Sequence, residues 1–264
     1  MTTRPIITLT TDFGVTDHYA GTMKGVILSR CPAAEIVDIC HSVPAYSIWS
    51  GAYNIQQAAP YFPAGTIHLV IIDPGVGTDR KAIAVKAFDQ VFIAPDNGVL
   101  TLVLSKCESY EAREITDQRL MLPSPATTFH GRDIFAPAGA AILCGEVPFS
   151  EVGPTIDSPN LLTPIEPQLT SPGHWEGRIL SVDHFGNMIT NFPSRDFESQ
   201  PFRLTLGWVE ISTRYTTFAQ APDGALFCYA GSSGYLELAI NRQSAAASLR
   251  AHAGDPIALR VPRS

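Results

Sequence analysis

The run from Thr66 to Ile72 constrains the fold more than any other feature, because it consists of strand-forming residues and ends abruptly in Asp73-Pro74-Gly75. A strand without polar alternation is typical of a parallel sheet that is buried on both faces. The carboxyl ends of such strands open into the crevice where α/β sheets bind ligands. Asp73 and Arg80 stand at either end of the turn that follows, which places a carboxylate and a permanent guanidinium there. The turn therefore indicates a site for a small polar reactant, with a surface ion pair as the alternative interpretation.

Strand and helix patterns alternate along the N-terminal half of the chain. Ile6 to Thr10 and Glu35 to Ile39 are strand-forming, and each is followed by a segment with helical spacing of apolar residues. The first helix begins after Asp17, a predicted N-cap, and the second spans Ser47 to Ala59. Together with the strand at 66–72, the order β-α-β-α-β predicts a mostly parallel sheet with right-handed crossovers.

Further elements are predicted downstream of the Asp73 turn. Strands are expected at 82–85 and 91–94, separated by a short turn, and a helix is expected at 99–104. His130 comes just before another helical pattern, for which Asp133 is the predicted N-cap. We therefore expect His130 to lie beside a helix N-terminus.

The chain becomes rich in proline, serine and threonine, without periodicity, between Val152 and Gly173. Beyond this stretch, strands follow one another without long helices between them, which is typical of an antiparallel β domain. We expect an α/β N-terminal domain with a mostly parallel central sheet over 1–158, a linker over 159–172 and a smaller all-β C-terminal domain over 173–264.

Composition and charge argue against several classes of protein. A net charge of −7 without a Lys/Arg cluster argues against a nucleic-acid partner. The five cysteines are scattered and never in CxxC spacing, so neither a disulfide framework nor a thiolate metal site is predicted, and a reducing compartment fits best. No apolar run approaches the roughly 18 residues of a membrane helix, and no export signal precedes the first strand. We therefore expect a cytoplasmic protein without a membrane span.

Metal and nucleotide motifs are missing from the sequence. The histidines never fall in HxxxH or HExxH spacing, so no metal site is predicted. Neither a Walker A segment nor GxGxxG follows the first strand, which disfavours phosphate-rich nucleotides as ligands.

Three other patterns could bind parts of a small substrate. Asp12 ends the first strand, where a carboxylate can accept hydrogen bonds from a vicinal diol, and a turn-forming aspartate is the alternative. The segment from Asp183 to Asn187 offers a carboxylate, an aromatic face that can stack on a purine and an amide that can read its edge, but it also fits a plain hairpin turn. Gly231-Ser232-Ser233-Gly234 fits a carboxylate-binding nest or a hairpin loop.

Six segments occur in the order found in the S-adenosyl-L-methionine (SAM) hydrolases, and the chain resembles this family over nearly its whole length. The segments are Thr10-Thr-Asp-Phe-Gly14, Asp73-Pro-Gly-Val-Gly-Thr78 with Arg80, Pro95-Asp-Asn-Gly98, Phe129-His-Gly-Arg-Asp-Ile-Phe135, Asp183-His-Phe-Gly-Asn187 and Leu236-Glu-Leu-Ala-Ile-Asn241. This family, also called SAM hydroxide adenosyltransferases, is related to the fluorinase and chlorinase enzymes. The resemblance implies an α/β N-terminal domain, a barrel-like C-terminal domain and a homotrimer whose active sites lie between the N-terminal domain of one subunit and the C-terminal domain of its neighbour.

The resemblance also implies roles for individual side chains. The matching positions are Asp73, Arg80 and His130 for the catalytic set, Asp12 for ribose, Phe185 and Asn187 for adenine, and Asp183 and Ser232 for methionine. One segment departs from the family, since this chain reads Pro44-Ala45-Tyr46 where many relatives carry Pro-Pro-Phe. Whether Tyr46 flanks the substrate is left open by this difference.

The resemblance implies hydrolysis of SAM to adenosine and L-methionine by attack of water or hydroxide at the ribose 5′ carbon. Methionine leaves the sulfonium as a neutral thioether, so neither a general acid nor a cofactor is required. Between Asp73 and His130 as acceptor of the water proton we favour His130, because its unperturbed pKa is nearer neutrality. The alternatives are a halogenase of the same fold and a non-catalytic SAM- or adenosine-binding protein, and the presence of all three catalytic residues counts against both.

Overall fold

Two compact units make up the chain, Met1–Leu162 and Thr163–Ser264. The computed structural model describes residues 4–197 and 200–262, so the outermost positions of the two predicted domains, 1 and 264, lie outside the described residues. The boundary between the units falls inside the segment predicted as a linker.

The first unit contains a six-stranded sheet in the order β2-β1-β3-β5-β4-β6. Its strands are β1 (Ile6–Thr11), β2 (Glu35–Cys40), β3 (Ile67–Ile71), β4 (Ala82–Ala87), β5 (Gln90–Pro95) and β6 (Glu111–Glu114). The pairs from β2 to β5 are parallel, whereas β4 is antiparallel to both β5 and β6. The sheet is therefore mixed rather than mostly parallel. Phe88 and Asp89 explain the difference, because both have positive φ in the two-residue turn between β4 and β5, and such a turn joins antiparallel strands.

Helices cover both faces of this sheet. They are α1 (Tyr19–Arg30), α2 (Ile48–Ala58), α3 (Thr101–Leu104) and α4 (Ala136–Leu143), with short helical turns at Ala59–Tyr61, Gln118–Leu120, Gly131–Phe135 and Phe149–Glu151. Leu69 and Ile71 of β3 pack in the same core as Met23 of α1, while Val70 packs in the opposite core with Ile55 of α2. Burial on both faces is what the apolar run of β3 predicts, and each such side chain contributes about 1.5–3 kcal/mol.

Two predicted helix caps are wrong. His18, not Asp17, is the N-cap of α1, and it makes no side-chain capping bond. Asp133 lies inside the helical turn that precedes α4 instead of capping it, because its carboxylate is engaged by Arg132 and by the backbone amide of Ala126. Helical periodicity places such residues near a helix start but does not show which group the carboxylate accepts from.

Cys31 and Cys144 form a disulfide, with their Cα atoms 5.9 Å apart. The sequence predicted no disulfide, because the two cysteines are 113 positions apart and follow no spacing pattern. They meet because each follows the last residue of a helix, and α1 packs against α4.

The second unit is an eight-stranded antiparallel sheet in the order β11-β10-β14-β8-β9-β13-β12, with β7 on β8. Its strands are β7 (Gln168–Ser171), β8 (His174–Val182), β9 (Met188–Pro193), β10 (Arg203–Leu206), β11 (Val209–Ile211), β12 (Leu226–Ala230), β13 (Tyr235–Ile240) and β14 (Pro256–Arg260). Two short helices, α5 (Ser194–Phe197) and α6 (Ala245–Leu249), accompany the sheet.

Hydrogen bonds nearly close this sheet into a barrel. Cys228 in β12 donates to Thr213 and accepts from Tyr215, just beyond β11 at the opposite end of the strand order. Phe192, Leu204 and Leu238 belong to the core of this unit. The structure therefore agrees with a barrel-like, all-β C-terminal fold.

Candidate active site

The carboxyl ends of β1 and β3 bring two aspartates to one edge of the mixed sheet. Thr11 lies opposite Ile71 in the parallel pairing, so Asp12 and Asp73 follow neighbouring strand ends. The pKa of Asp12 is raised, first by burial of its carboxyl group and in part by the negative charge of Asp73. This is the edge at which the apolar run of β3 predicted a ligand site.

Asp73 and Arg80 form a two-pronged ion pair across the turn that leaves β3. Nε of Arg80 lies 2.9 Å from Oδ1 of Asp73, and Nη2 lies 2.5 Å from Oδ2. The Thr78 hydroxyl closes the turn by donating to the carbonyl of Gly75 at 2.7 Å. The guanidinium also lies over the ring of Phe135, 5.2 Å from its centroid. Both partners are nearly buried, so this is not the exposed surface ion pair considered as an alternative.

His130 joins this pair through Arg80. Its Nδ1 lies 2.6 Å from Nη2 of Arg80. A guanidinium has no lone pair to accept a hydrogen bond, so Nδ1 is the acceptor and the proton of the neutral ring is on Nε2. The pKa of His130 is lowered by burial and then by the nearby cation of Arg80, which favours the neutral ring.

Aromatic contacts connect the segment of His130 to the loop of Asp12. The ring of Phe13 lies 6.0 Å from that of Phe129, and both rings contact Tyr19. Gly131 is closely packed, because an added Cβ would lie 3.2 Å from both Met23 and Phe13. A side chain at Gly131 would therefore require the side chains of Met23 and Phe13 to shift.

Tyr46 lies beside Asp12. Its backbone amide donates to Oδ2 of Asp12 at 2.9 Å, and its φ of 66° turns the chain so that the side chain is exposed. The structure thus brings Tyr46 to the predicted ribose-binding carboxylate.

Asn97 ties the ends of β3 and β5 together, whereas its sequence position indicated either a cap of the next helix or a side chain facing the crevice. Its Nδ2 donates to the carbonyl of Ile72 at 2.8 Å, and its Oδ1 accepts from the amide of Val99 at 3.2 Å. Since Ile72 precedes Asp73, this bond fixes the base of the Asp73 turn. The only sequence signal was its place in Pro95-Asp-Asn-Gly98 at a strand end.

In the second unit, Asp183 organises the turn between β8 and β9. Its Oδ1 accepts from the amides of Phe185 and Asn187 at 2.9 and 2.8 Å, and its Oδ2 accepts from Nδ2 of Asn187 at 2.8 Å. The hairpin interpretation of this segment is therefore correct as to structure. The turn nevertheless leaves the ring of Phe185 75% exposed and available for stacking.

Ser232 is exposed in the loop between β12 and β13, next to a buried carboxylate. Glu237 of β13 accepts from the hydroxyls of Tyr229 and Ser233, at 2.5 and 3.2 Å. Burial raises the pKa of Glu237, and the charge of Asp183 adds to this effect. Sequence reasoning missed Glu237 as a site residue, although an acid inside the apolar strand Tyr235–Ile240 is the signal that could have found it.

Within the described part of the chain, no group of three or more His, Cys, Asp or Glu side chains could hold a metal ion. A search of the same residues finds no helix long and apolar enough to cross a membrane.

Comparisons with known proteins match both units. Family models for the SAM hydroxide adenosyltransferase N-terminal and C-terminal domains match residues 7–153 and 177–258. An (R)-S-adenosyl-L-methionine hydrolase from Salinispora arenicola is 34% identical over 260 residues, which cover 97% of this chain and 98% of that enzyme. A fluorinase from Nocardia brasiliensis is 30% identical over 294 residues, 98% of this chain and 97% of that enzyme. The crystal structure of an uncharacterized conserved protein from Thermotoga maritima has a TM-score of 0.86 at 37% identity, and the match covers 96% of this chain and 99% of that one.

Proposed function

The chain belongs to the SAM hydroxide adenosyltransferase family, and from this premise we propose that it hydrolyses SAM to adenosine and L-methionine. Water or hydroxide attacks the ribose 5′ carbon and displaces methionine. The observation that carries the proposal is the contact of Arg80 with both Asp73 and His130 at the carboxyl edge of the sheet.

The three side chains divide the handling of the attacking water between them. Nε2–H of His130 donates to the water oxygen, and Asp73 accepts a water proton as the new C–O bond forms. This assignment revises the expectation that His130 is the proton acceptor, because its Nδ1 lone pair is occupied by Arg80 and its Nε2 carries a proton. Arg80 holds both partners in place and stays protonated throughout.

The leaving group needs no assistance from an acid. Methionine departs as a neutral thioether while the positive charge of the sulfonium disappears, so no proton has to be delivered to it. We therefore propose that the reaction uses no cofactor and no metal ion. Catalysis rests on orienting the water in line with the carbon–sulfur bond.

The remaining predicted residues are proposed to bind the substrate. Asp12 accepts hydrogen bonds from the ribose diol, and Tyr46 flanks the nucleoside. Phe185 stacks on adenine and Asn187 reads its edge. Asp183 and Ser232 bind the methionine amine and carboxylate. Asp183 keeps lone-pair capacity for the amine, since its two oxygens accept three hydrogen bonds from its own turn.

We propose that the chain acts as a homotrimer whose active sites form between the first unit of one subunit and the second unit of its neighbour. The family resemblance supports this arrangement. We also propose a cytoplasmic location, although the Cys31–Cys144 disulfide removes the argument drawn from scattered cysteines.

Two other functions compete with hydrolysis. A halogenase of the same fold would bind a halide where we place the water, and the carboxylate of Asp73 disfavours an anion there. A sensor that binds SAM without reacting would have no use for a buried guanidinium shared by a carboxylate and an imidazole. Both alternatives predict no adenosine from SAM and water.

The decisive experiment is incubation of the purified chain with SAM in ¹⁸O-labelled water. We expect equal amounts of adenosine and methionine, with the label in the 5′-hydroxyl of adenosine. An incubation with chloride added at high concentration, analysed by mass spectrometry, separates the halogenase from the hydrolase. Adenosine without label would refute attack by water at the 5′ carbon, and 5′-chloro-5′-deoxyadenosine would favour the halogenase.

A further inference from the structure

Asp133 is a buried carboxylate that stands three residues after His130 and takes no part in the proposed reaction. Its side chain is only 3% exposed, whereas that of its partner Arg132 is 36% exposed. Arg132 donates to it through Nε at 2.5 Å and through Nη2 at 2.8 Å. The guanidinium neutralises a charge that would otherwise be costly to bury.

The same carboxylate holds the loop that leads to His130. Oδ2 of Asp133 accepts from the backbone amide of Ala126 at 2.8 Å, and its carbonyl accepts from the amide of Leu122 at 2.8 Å. Its own amide donates to the carbonyl of Phe129 at 3.1 Å. Asp133 therefore bonds to the beginning of the loop 122–129 at Leu122, to its middle at Ala126 and to its end at Phe129.

This loop touches the turn that carries Asp73 and Arg80. An added Cβ at Gly77 would lie 2.5 Å from the carbonyl oxygen of Thr127, and Gly77 has a φ of +80°. Both facts require glycine there. The backbone of the loop 122–129 thus rests directly on the Asp73 turn, with no side chain between them.

We propose that Asp133 is a positioning residue: by holding the loop 122–129 against the Asp73 turn, it keeps His130 within hydrogen-bond distance of Arg80. The inference rests on the proposed function, in which this contact orients the attacking water. Small displacements of such a group are costly to turnover, since a shift of about 1 Å can lower a rate by about a hundredfold.

Asp133 also acts on His130 through its charge. The charged groups that act on the His130 ring are Arg80, Asp73 and Asp133, and both carboxylates raise its pKa against the effects of burial and Arg80. Replacing Asp133 by a neutral residue of the same shape should therefore lower the pKa of His130. An aspartate that is not among these charged groups, such as Asp117, should not have this effect when it is replaced.

Asp133→Asn in the full-length chain tests the inference. The amide oxygen can still accept from Ala126, but the charge and the arginine fork are lost. We expect kcat to fall about tenfold or more with KM within about twofold, because Asp12 and Tyr46 lie outside the loop. The His130 pKa, followed by NMR and assigned with a His130→Gln variant, should fall. Asp117→Asn is the matched control, since Asp117 also accepts from a backbone amide and an arginine fork, both of Arg119.

Each outcome decides for or against the inference. A kcat for Asp133→Asn within twofold of the unmodified chain, or an unchanged His130 pKa, overturns it. If Asp133→Asn does not fold, Ala126→Pro replaces it, because it removes the amide from which Asp133 accepts and leaves the carboxylate and its arginine in place. An unchanged kcat in that variant then overturns the inference. An unmodified chain that releases no adenosine refutes the proposed function alone, since the NMR titration is read without substrate.

Discussion

Nη2 of Arg80 lies 2.6 Å from Nδ1 of His130, and this contact decides which ring nitrogen can face a substrate. A guanidinium only donates, so His130 presents Nε2–H to the site. The same guanidinium grips both oxygens of Asp73. Asp73 and His130 are therefore oriented by one side chain that does not itself accept a proton.

Arg80→Lys should lower kcat about tenfold or more while KM changes little. Lysine keeps the positive charge but cannot donate in a fork to Asp73 and at the same time reach His130. Steady-state kinetics with SAM measure both constants. Lys81→Gln is the control, because Lys81 is the neighbouring cation and pairs with Glu114 at 3.3 Å on the surface. An unchanged kcat in Arg80→Lys would mean that the positive charge, not the fork, is what matters. A loss of the same size in Lys81→Gln would mean that the effect is not specific to Arg80.

Asp73→Asn and Asp12→Asn should affect different kinetic constants. Asp73 accepts the water proton, so its loss is expected to lower kcat by about a hundredfold or more with bound SAM still detectable. Asp12 grips the ribose diol, so its loss is expected to raise KM and weaken binding measured by calorimetry. The opposite pattern would exchange the two assigned roles.

The rate should rise with pH through a pKa below the ordinary 6.5 of histidine and then stay level toward neutrality. Burial and the Arg80 cation lower the pKa of His130, so the neutral ring, which is the active form, persists to more acidic pH. Protonation of the ring would place a proton on Nδ1, so that two hydrogen-bond donors, Nδ1–H and the guanidinium of Arg80, would face each other. Measuring kcat from about pH 4.5 to pH 8 tests this, and an acidic limb centred above 6.5 would contradict it.

The sequence predicts the strand ends of this site better than the contacts made there. β1, β3 and the residues that follow them are apparent from apolar runs that stop at Asp12 and Asp73, because burial on both faces of a parallel sheet leaves a clear pattern. β6 (Glu111–Glu114) was missed, since four residues with three charges carry no apolar signal. The disulfide and the contact of Arg80 with His130 join positions far apart in the chain, which no local pattern encodes.

Role assignment depended on geometry as well. The choice of His130 as base followed from its ordinary pKa, which ignores what occupies its ring nitrogens. The turn of Asp183 is a second example. The binding and the hairpin interpretations used the same residues, and only the folded structure shows that this carboxylate accepts three hydrogen bonds within its own turn.

His68 should make the folded chain less stable as pH falls from about 6.5 to about 4. It is fully buried in β3, where its Nδ1 lies 2.7 Å from the hydroxyl of Thr8 and its ring stacks on Phe92. Burial lowers its pKa to about 4. Between these pH values the unfolded chain binds the proton and the folded chain does not, so stability is retained above 6.5 and lost below it, by about 3 kcal/mol in total.

Urea unfolding at a series of pH values measures this effect. His68→Asn, whose amide can still bond Thr8, should flatten the pH dependence of the free energy of unfolding. His252→Asn is the control, since the His252 side chain is 81% exposed. A slope that is the same in the unmodified chain and in His68→Asn would show that His68 does not titrate on unfolding.

Mixing subunits should distinguish sites formed between chains from sites formed within one chain. Asp73→Asn damages the first unit, and Phe185→Ala damages the second at an exposed ring whose loss should not disturb the fold. In a cyclic trimer of this kind, each site combines the first unit of one subunit with the second unit of its neighbour. Random exchange of equal amounts of the two variants then leaves both halves of a site intact in about one quarter of cases. Activity at low SAM should therefore recover to about one quarter of that of the unmodified chain, well above the mean of the separate variants.

Asp73→Asn mixed with His130→Gln is the control, because both changes lie in the first unit and cannot complement. Recovery only to the mean of the two variants, under conditions where exchange is verified by mass spectrometry, would place the whole site within one chain.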